Sequence, residues 1–539
     1  MPSATAVRQA RIPIGRTYRE CPLCDSRHLE YAFLVEKTPV CTCVDCGLLF
    51  LNPQPGDSSP GEIPPSETTV HESSGASRLT EVYRANAAER IQQLIEYSGI
   101  ENGNLALIGT DPHLRKAAEK RGFDVHSVAP HELESAEVFE RPESIDACIL
   151  FCALERMKEP YLALCKIRQA LKADGCLMVV SPTTDSKAAR LFKASWWEFN
   201  HRNLYYFSVD TLQSILVRAG FSECVISPDR SLVSLNYLQR RLASSSRALR
   251  RYAVLRRLIS LTPVLRDKAF RLLYGRTTFL ARAKAPSTVP LLSVIIPAYN
   301  EHTTFTEIVE QVLAKKVEGV DLEIVVVESN STDGTRQLAL AYLDHPRVQL
   351  VLEDRPLGKG HAVRTGLRVA KGDLMLVQDA DLEYDINDYD ALLAPLLNHQ
   401  VNFVLGSRHK ATKNSWKIRE FVDSPALAML FNFGHLLFLT LFNLMYRQQL
   451  SDPFTMFKVF RRECIAGLSF ECNRFDFDYE LVIKLLRKGY KPLELPVNYR
   501  SRSKKEGKKV TLIRDPITWI AALVKFRHKP LYPSKPARP

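Results

Sequence analysis

Asp379 and Asp381 are two carboxylates separated by one residue, in the stretch LMLVQDADLE over 374–383. Carboxylates at that spacing can both meet one hard divalent cation, which keeps waters and takes its other ligands from substrate phosphates. Taken alone, the pair reads more often as two acids in a solvated turn. Its neighbours favour chemistry. Leu374 to Val377 is an apolar run of strand length, which predicts a buried strand delivering both acids into a loop. Upstream, Leu292 to Glu301 is a short apolar strand that ends in a polar loop. Leu322 to Glu328 is another, running into the turn-rich stretch Ser329 to Thr335. Gly358 to Gly366 opens on glycine and continues as a helix. Such strand-loop-helix units in series set their loops along the carboxyl edge of a parallel sheet, where open α/β folds bind ligands.

These residues are joined by Gly406-Ser-Arg408, the loop Ser451 to Lys458 and the basic run Tyr499 to Lys509. On these motifs the segment 290–515 resembles the family 2 glycosyltransferases of GT-A fold, most closely their polyprenyl-phosphate (dolichol-phosphate mannose synthase-like) branch. The resemblance implies roles. Pro297, Tyr299 and Glu301 match the first nucleotide loop, and Lys359 joins the nucleotide-sugar set. Glu328 stands where the family has an aspartate that contacts the base, with Ser329 replacing a second acid. Asp379 and Asp381 match the metal and diphosphate motif, so Mg2+ or Mn2+ is the implied cofactor, with Glu383 as a third ligand. Arg408, Arg419, Arg500, Arg502 and Lys504 are candidates for gripping phosphates, arginine being favoured where a bidentate fork is needed. Asp452 would orient the acceptor, with a loop-capping role equally open. One of Asp476, Asp478 and Glu480 would serve as base if the acceptor were a sugar hydroxyl. The implied reaction is a single inverting displacement on a nucleotide-sugar by a lipid phosphate, which is already ionised at neutral pH.

The elements that must hold these groups belong to a long chain. At 539 residues it has room for two or three domains, and a 45% hydrophobic fraction is that of a globular protein rather than a disordered one. The net charge of +13 points to nucleic acid, a membrane surface or anionic substrates, so its location has to decide among them. Met1 to Pro22 has no apolar core segment, which predicts no signal peptide, and twelve cysteines then predict reduced thiols in the cytosol. Four of them, Cys21, Cys24, Cys43 and Cys46, form two C-x-x-C pairs at ribbon spacing and predict a structural Zn2+ site over 15–56. Residues 53–73, rich in Pro, Ser, Gly and Glu, read as a linker.

From residue 75 to 230 helices and strands alternate as in a Rossmann-like, doubly wound α/β domain. Together with the ribbon and Trp197 to His201, Tyr206 to Leu212 and Ala219 to Phe221, this order resembles class I methyltransferases that use S-adenosylmethionine. Such enzymes need a glycine-rich turn after the first strand and an acid after the second. Here Ile108, Thr110 and Pro112 fall on the three glycine positions and Ala129 on the acid position. S-adenosylmethionine is therefore not expected as a cofactor, and the domain reads as a pseudo-enzyme.

Residues 231–288 are expected to be a basic amphipathic helical linker. Asn236 to Lys284 carries thirteen Arg and Lys against a single acid, Asp267, nearly the whole excess charge. Leucines and aromatics interleave at helical spacing, which suits an anionic membrane surface. No nucleic-acid recognition motif accompanies the charge. Ala426 to Tyr446 is long enough to span a bilayer, but Asn432, His435 and Asn443 share one helical stripe, so it is expected to lie in the interface. The GT-A domain is placed at 289–515 and a tail at 516–539. The whole predicts a peripheral transferase on the cytosolic face of the plasma membrane, with a bifunctional methyltransferase-glycosyltransferase and a non-enzymatic scaffold as the alternatives. The sequence leaves the sugar, the base and the oligomeric state open.

Overall fold

The computed structural model describes residues 15–56, 76–109, 111–133, 136–234, 269–283, 289–409, 425–500 and 514–531. The chain divides into two compact units, Met1–Ala285 and Pro286–Pro539. Unit 1 begins with three short strands, β1 (Leu29–Val35), β2 (Thr38–Cys43) and β3 (Leu49–Leu51). These are followed by β4 (Gly103–Ile108), β5 (Phe123–Val128), β6 (Ile145–Phe151), β7 (Leu171–Pro182), β8 (Tyr205–Tyr206), β9 (Phe221–Ser234) and β10 (Ala269–Ala283). They make two sheets, ordered β1-β2-β3-β8 and β5-β4-β6-β7-β10-β9.

The first sheet joins the ribbon to the Rossmann-like part. Leu49 and Phe50 of β3 pair with Tyr206 and Tyr205 of β8, and the Tyr18 and Tyr205 hydroxyls meet at 2.8 Å. The ribbon is thus completed by a strand from residues 205–206, well outside 15–56. In the second sheet β4 to β7 run parallel and β10 runs antiparallel to both β7 and β9. This corrects the expectation for the bridge. Residues 269–283 are a strand held between β7 and β9, with Phe279 fully buried and Thr278 and Ala281 nearly so. Among its basic residues, Arg271 pairs with Glu89 at 3.0 Å and Arg282 with Glu223 at 3.5 Å. Arg271 and Arg282 are thus paired within unit 1, on a strand that lies between β7 and β9. Arginines 240 to 266 and Lys268 lie outside the described residues.

Unit 2 holds β11 (Leu291–Ala298), β12 (Asp321–Glu328), β13 (Val348–Leu352), β14 (Leu374–Val377), β15 (Phe403–Ser407), β16 (Lys458–Arg461) and β17 (Leu493–Pro496). Their order is β13-β12-β11-β14-β16-β15-β17. The first four strands are mutually parallel, while β16 is antiparallel to both β14 and β15. β14 sits near the centre, and all four of its side chains are buried. The helix Phe305–Ala314 buries Phe305, Ile308, Val309, Val312 and Leu313, the i, i+3, i+4 stripe that packs onto a sheet. The parallel strands bring the loops after β11, β12, β13 and β14 to one edge, as the alternation of elements predicts.

The expected tail is also corrected. Residues 514–528 form the helix Arg514–His528, which buries Ala522, Leu523 and Phe526. Trp519 stacks on Tyr479 at 5.6 Å and Phe438 meets it edge-on at 5.4 Å, so aromatic packing makes this helix part of unit 2.

Candidate functional site

The loops after β11 and β12 are zipped together by short polar side chains. Asn300 N donates to Ser331 Oγ at 2.9 Å, Thr332 N to Asn300 Oδ1 at 2.9 Å, His302 N to Asp333 Oδ2 at 3.0 Å and Glu301 N to Thr335 Oγ1 at 3.0 Å. This fixes Pro297, Tyr299 and Glu301 at the sheet edge, with Tyr299 exposed. Glu328 is fully buried. It accepts from Ser331 N at 2.7 Å and Asn330 N at 3.2 Å and pairs with Arg336 at 3.0 Å. Its carboxylate braces the loop, which occupies the oxygens that the family resemblance assigns to the base. Beside it, Ser329 Oγ donates to Glu353 Oε2 at 2.7 Å, and His361 Nδ1 lies 2.6 Å from Glu353 Oε1.

At the end of β14, Gln378 N donates to Ile295 O at 2.9 Å, so the strand pairing continues to the residue just before Asp379. Asp379 forms an ion pair with Lys359, the first residue of the helix Lys359–Val369. Burial would lower the Lys359 pKa, but the charges of Asp379, Asp478 and Asp381 outweigh it and hold the ammonium above its ordinary value. Asp381 is buried, and its Oδ1 accepts from Glu383 N at 3.2 Å. Glu383 Oε2 accepts from Tyr499 OH at 2.9 Å, and Arg500 N donates to Glu383 O at 2.8 Å. Tyr384 and Tyr499 add an isolated bridge, so the start of the basic run is tied to the aspartate loop. Arg500 is exposed there, whereas Arg419, Arg502 and Lys504 lie outside the described residues.

The same loop meets the Ser451 to Lys458 segment through Tyr384, whose hydroxyl accepts from Met456 N at 3.1 Å and lies 3.3 Å from Thr455 Oγ1. Arg408 and Asp452 are buried and paired at two points, and the Arg408 guanidinium lies 5.3 Å from the Tyr499 ring centre. Burial pushes the Asp452 carboxyl up, but Arg408, His435 and His409 together hold it well below the usual carboxylate range. Asp379, Asp381, Glu383, Arg408, Asp452 and Arg500 thus gather around one loop.

The sequence left three acids open in the stretch 475–480, and their partners separate them. Asp476 Oδ1 accepts from Arg474 N at 3.0 Å, and Glu480 accepts from Cys472 N at 2.8 Å and pairs with Lys484. Asp478 alone lines a small pocket that Lys359, Lys458 and Arg474 share. Lys458 Nζ lies 2.9 Å from Asp478 Oδ1, and burial, only partly offset by Asp478, lowers its pKa. Sequence reasoning missed Lys458, although it ends a quoted motif. It also missed the pair His409 and His435, whose Nε2 atoms are 3.0 Å apart. These two histidines stand close to Asp452, but that carboxylate is committed to Arg408.

In unit 1 the Sγ atoms of Cys21 and Cys46 are 3.5 Å apart and those of Cys24 and Cys43 are 3.6 Å apart, all four forming one cluster. Four sulfurs at that separation fit one tetrahedral Zn2+. The fit is poorer for S-adenosylmethionine. Gly109 does have φ of +123°, but a Cβ there would stand only 2.9 Å from Phe151 O. The Phe151 ring is flanked by the guanidinium groups of Arg90 at 4.8 Å and Arg276 at 5.5 Å. Ala129 offers no acid, and Thr110 lies outside the described residues.

Residues 293–467 match the family model Glycosyl transferase family 2, and residues 93–224 match one described as Methyltransferase domain. Several relatives align with the chain, and three of them illustrate the likeness. The glycosyltransferase AglD of Haloferax volcanii is 28% identical over 45% of this chain and 38% of its own length. The dolichol-phosphate mannosyltransferase of Pyrococcus furiosus is 27% identical over 40% and 58%. The dolichyl-phosphate beta-glucosyltransferase of Drosophila melanogaster is 31% identical over 38% and 65%. The chain spans less than two thirds of the length of each.

Proposed function

We propose that this chain, which carries a family 2 glycosyltransferase domain behind a methyltransferase-like domain, moves a sugar from a nucleotide-sugar to a polyprenyl phosphate at the cytosolic face of a membrane. The observation that carries this reading is the gathering of Asp379, Asp381 and Glu383 beside the buried Arg408 and the start of the basic run. Acids for a cation and arginines for phosphates on one loop suit a donor and an acceptor that both carry phosphate.

Asp379, Asp381 and Glu383 would hold Mg2+ or Mn2+. The ion, when bound, draws charge from the departing nucleotide diphosphate. Tyr299, Pro297 and the zipped loops would receive the nucleoside, and Lys359 would face the diphosphate. Arg408 and Arg500 would orient the acceptor phosphate. One of its oxygens forms the new bond to the anomeric carbon as the bond to the nucleotide breaks on the opposite face, so the configuration inverts. Asp452 keeps Arg408 aimed, and no general base is needed because the nucleophile is already an anion.

Two helices suit a lipid substrate. On Pro425–Tyr446 the side chains of Met429, Phe433, Leu436, Leu437 and Leu444 are exposed, while Asn432 and Phe442 are buried. Ile520 and Val524 are exposed on Arg514–His528, which donates to that helix from Arg527 Nη1 to Met445 O at 2.8 Å. Exposed apolar side chains thus share one face of Pro425–Tyr446 while Asn432, Phe438 and Phe442 are buried on the other, as in a helix lying on a bilayer surface. No helix among the described residues is long and apolar enough to cross a membrane. The zinc ribbon and the methyltransferase-like domain serve as scaffold.

Incubation of the purified chain with a panel of nucleotide-sugars and a short polyprenyl phosphate tests this reading. One donor is expected to be consumed only when both the lipid and a divalent ion are present. Consumption without the lipid, or of none of the donors, would overturn it.

A further inference from the structure

We propose that Lys359 is an exchangeable counter-cation. Its ammonium neutralises Asp379 until a divalent ion arrives together with the donor's diphosphate, and it then passes to that diphosphate. The inference rests on the reading of Asp379 and Asp381 above and deepens it by fixing how the site fills.

Lys359 Nζ meets Asp379 Oδ1, one of the oxygens the aspartate loop offers to a cation. Both side chains are withdrawn from water, at 19% and 14% exposure, so salt screens the pair little. The lysine is also clamped at its base. Gly358 has φ of +108°, and a Cβ on it would stand 2.4 Å from Asn473 O, while one on Gly360 would stand 2.6 Å from Arg474 O and from Phe477 Cβ. His361 N donates to Asn473 O at 3.1 Å. The turn at 358–360 is thereby pressed against residues 472–477, which leaves the side chain to do the moving. Of the other acids that act on it, Asp478 is already held by Lys458 at 2.9 Å and Asp381 accepts from Glu383 N at 3.2 Å. Asp379 is therefore the partner of Lys359.

A divalent ion and an ammonium repel each other when they share one carboxylate oxygen. A bare ion must displace Lys359 from Asp379, which weakens its binding. A diphosphate supplies negative charge to both cations, so the displaced ammonium gains a new partner. The ion and the nucleotide therefore load cooperatively, and each strengthens the other by the same factor.

The test is Mn2+ binding followed by electron paramagnetic resonance on the full chain, without nucleotide and with saturating UDP or GDP. Wild type is expected to bind Mn2+ weakly alone and more tightly with the diphosphate that fits. Lys359→Met is expected to bind Mn2+ alone about tenfold more tightly than wild type and to lose most of the gain from nucleotide. If Lys359→Met does not fold, Lys359→Gln carries the same expectation. Lys359→Arg keeps the charge and should behave as wild type. The proposal is overturned if the neutral variants bind Mn2+ alone no more tightly than wild type, or if Lys359→Arg tightens as they do. Asp381→Asn separates the two levels, because wild-type Mn2+ binding in that variant would remove the metal reading itself.

Discussion

The guanidinium of Arg408 grips both oxygens of Asp452, with Nε 2.7 Å from Oδ2 and Nη2 2.8 Å from Oδ1, and Arg408 N donates to Oδ2 at 3.1 Å. Asp452 is fully buried and Arg408 is 8% exposed. Breaking a buried pair leaves one charge uncompensated, which costs more than the pair contributes. Asp452→Ala should destabilise the protein by about 3–5 kcal/mol, measured by urea unfolding. An unchanged midpoint would mean that the pair is not buried as described.

The pH dependence of that pair follows from its sign. The folded-state pKa of Asp452 is depressed, because Arg408, His435 and His409 outweigh the effect of burial. Its stabilising contribution is complete above the unfolded carboxyl value of about 3.9 and is lost only as the pH falls through the lower folded value. The gap in melting temperature between wild type and Asp452→Asn should stay level from pH 8 to 5 and close below about pH 4. A gap that closes near neutrality would assign the effect to the histidines instead.

Gly360 predicts a positioning defect. A Cβ on it would press on Arg474 O at 2.6 Å and Cys472 O at 2.9 Å, both backbone atoms that cannot swing aside. Gly360→Ala should cost about 1–3 kcal/mol. It should also lower turnover, by shifting Lys359 and Asp478 in their shared cavity. Thermal melting and initial rates on the same preparation check both parts.

The cysteine cluster predicts one Zn2+ per chain by elemental analysis and none in Cys43→Ser. Its loss should melt unit 1 first, because β3 pairs with β8 and Arg218 of the helix Val209–Arg218 reaches Leu23 O and Asp25. A zinc-free chain with unaltered proteolytic resistance in residues 15–56 would count against a folding role for the metal.

The exposed helical face predicts partition onto vesicles. Replacing Phe433 and Leu437, 64% and 60% exposed, by serine removes apolar area without touching the buried Asn432 or Phe442. Affinity for anionic liposomes, read by sedimentation, should fall by about tenfold or more, since about 1.5–3 kcal/mol attends each large side chain fully withdrawn from water. Equal sedimentation would send the membrane contact elsewhere.

The parallel core of unit 2 was legible because Leu374 to Val377 and Leu322 to Val327 are apolar runs bounded by turn residues, and their loops fell where the period placed them. The four cysteines were legible by spacing alone. Ala269 to Ala283 was not. Its arginines sit among leucines and aromatics, and without tertiary partners that pattern suits a helix as well as a strand whose arginines find Glu89 and Glu223. The ends of both units were misjudged for the same reason, since Phe526 and Phe279 reveal their role only through what they pack against. Glu328 could be placed at a strand end, but its saturation by Ser331 N and Arg336 depends on loop geometry that spacing does not encode. Asp478 was one of three equivalent acids until Lys458 singled it out.

The central claim is that Asp379 and Asp381 support a cation-dependent transfer to a lipid phosphate. Its most direct test is the mass of the lipid product formed by wild type and by Asp381→Asn with Mn2+ or with a chelator. Wild type with Mn2+ should yield a polyprenyl phosphate heavier by one sugar, and both the chelated reaction and the variant should fall by about a hundredfold or more. Equal yields from Asp381→Asn and wild type would contradict the account.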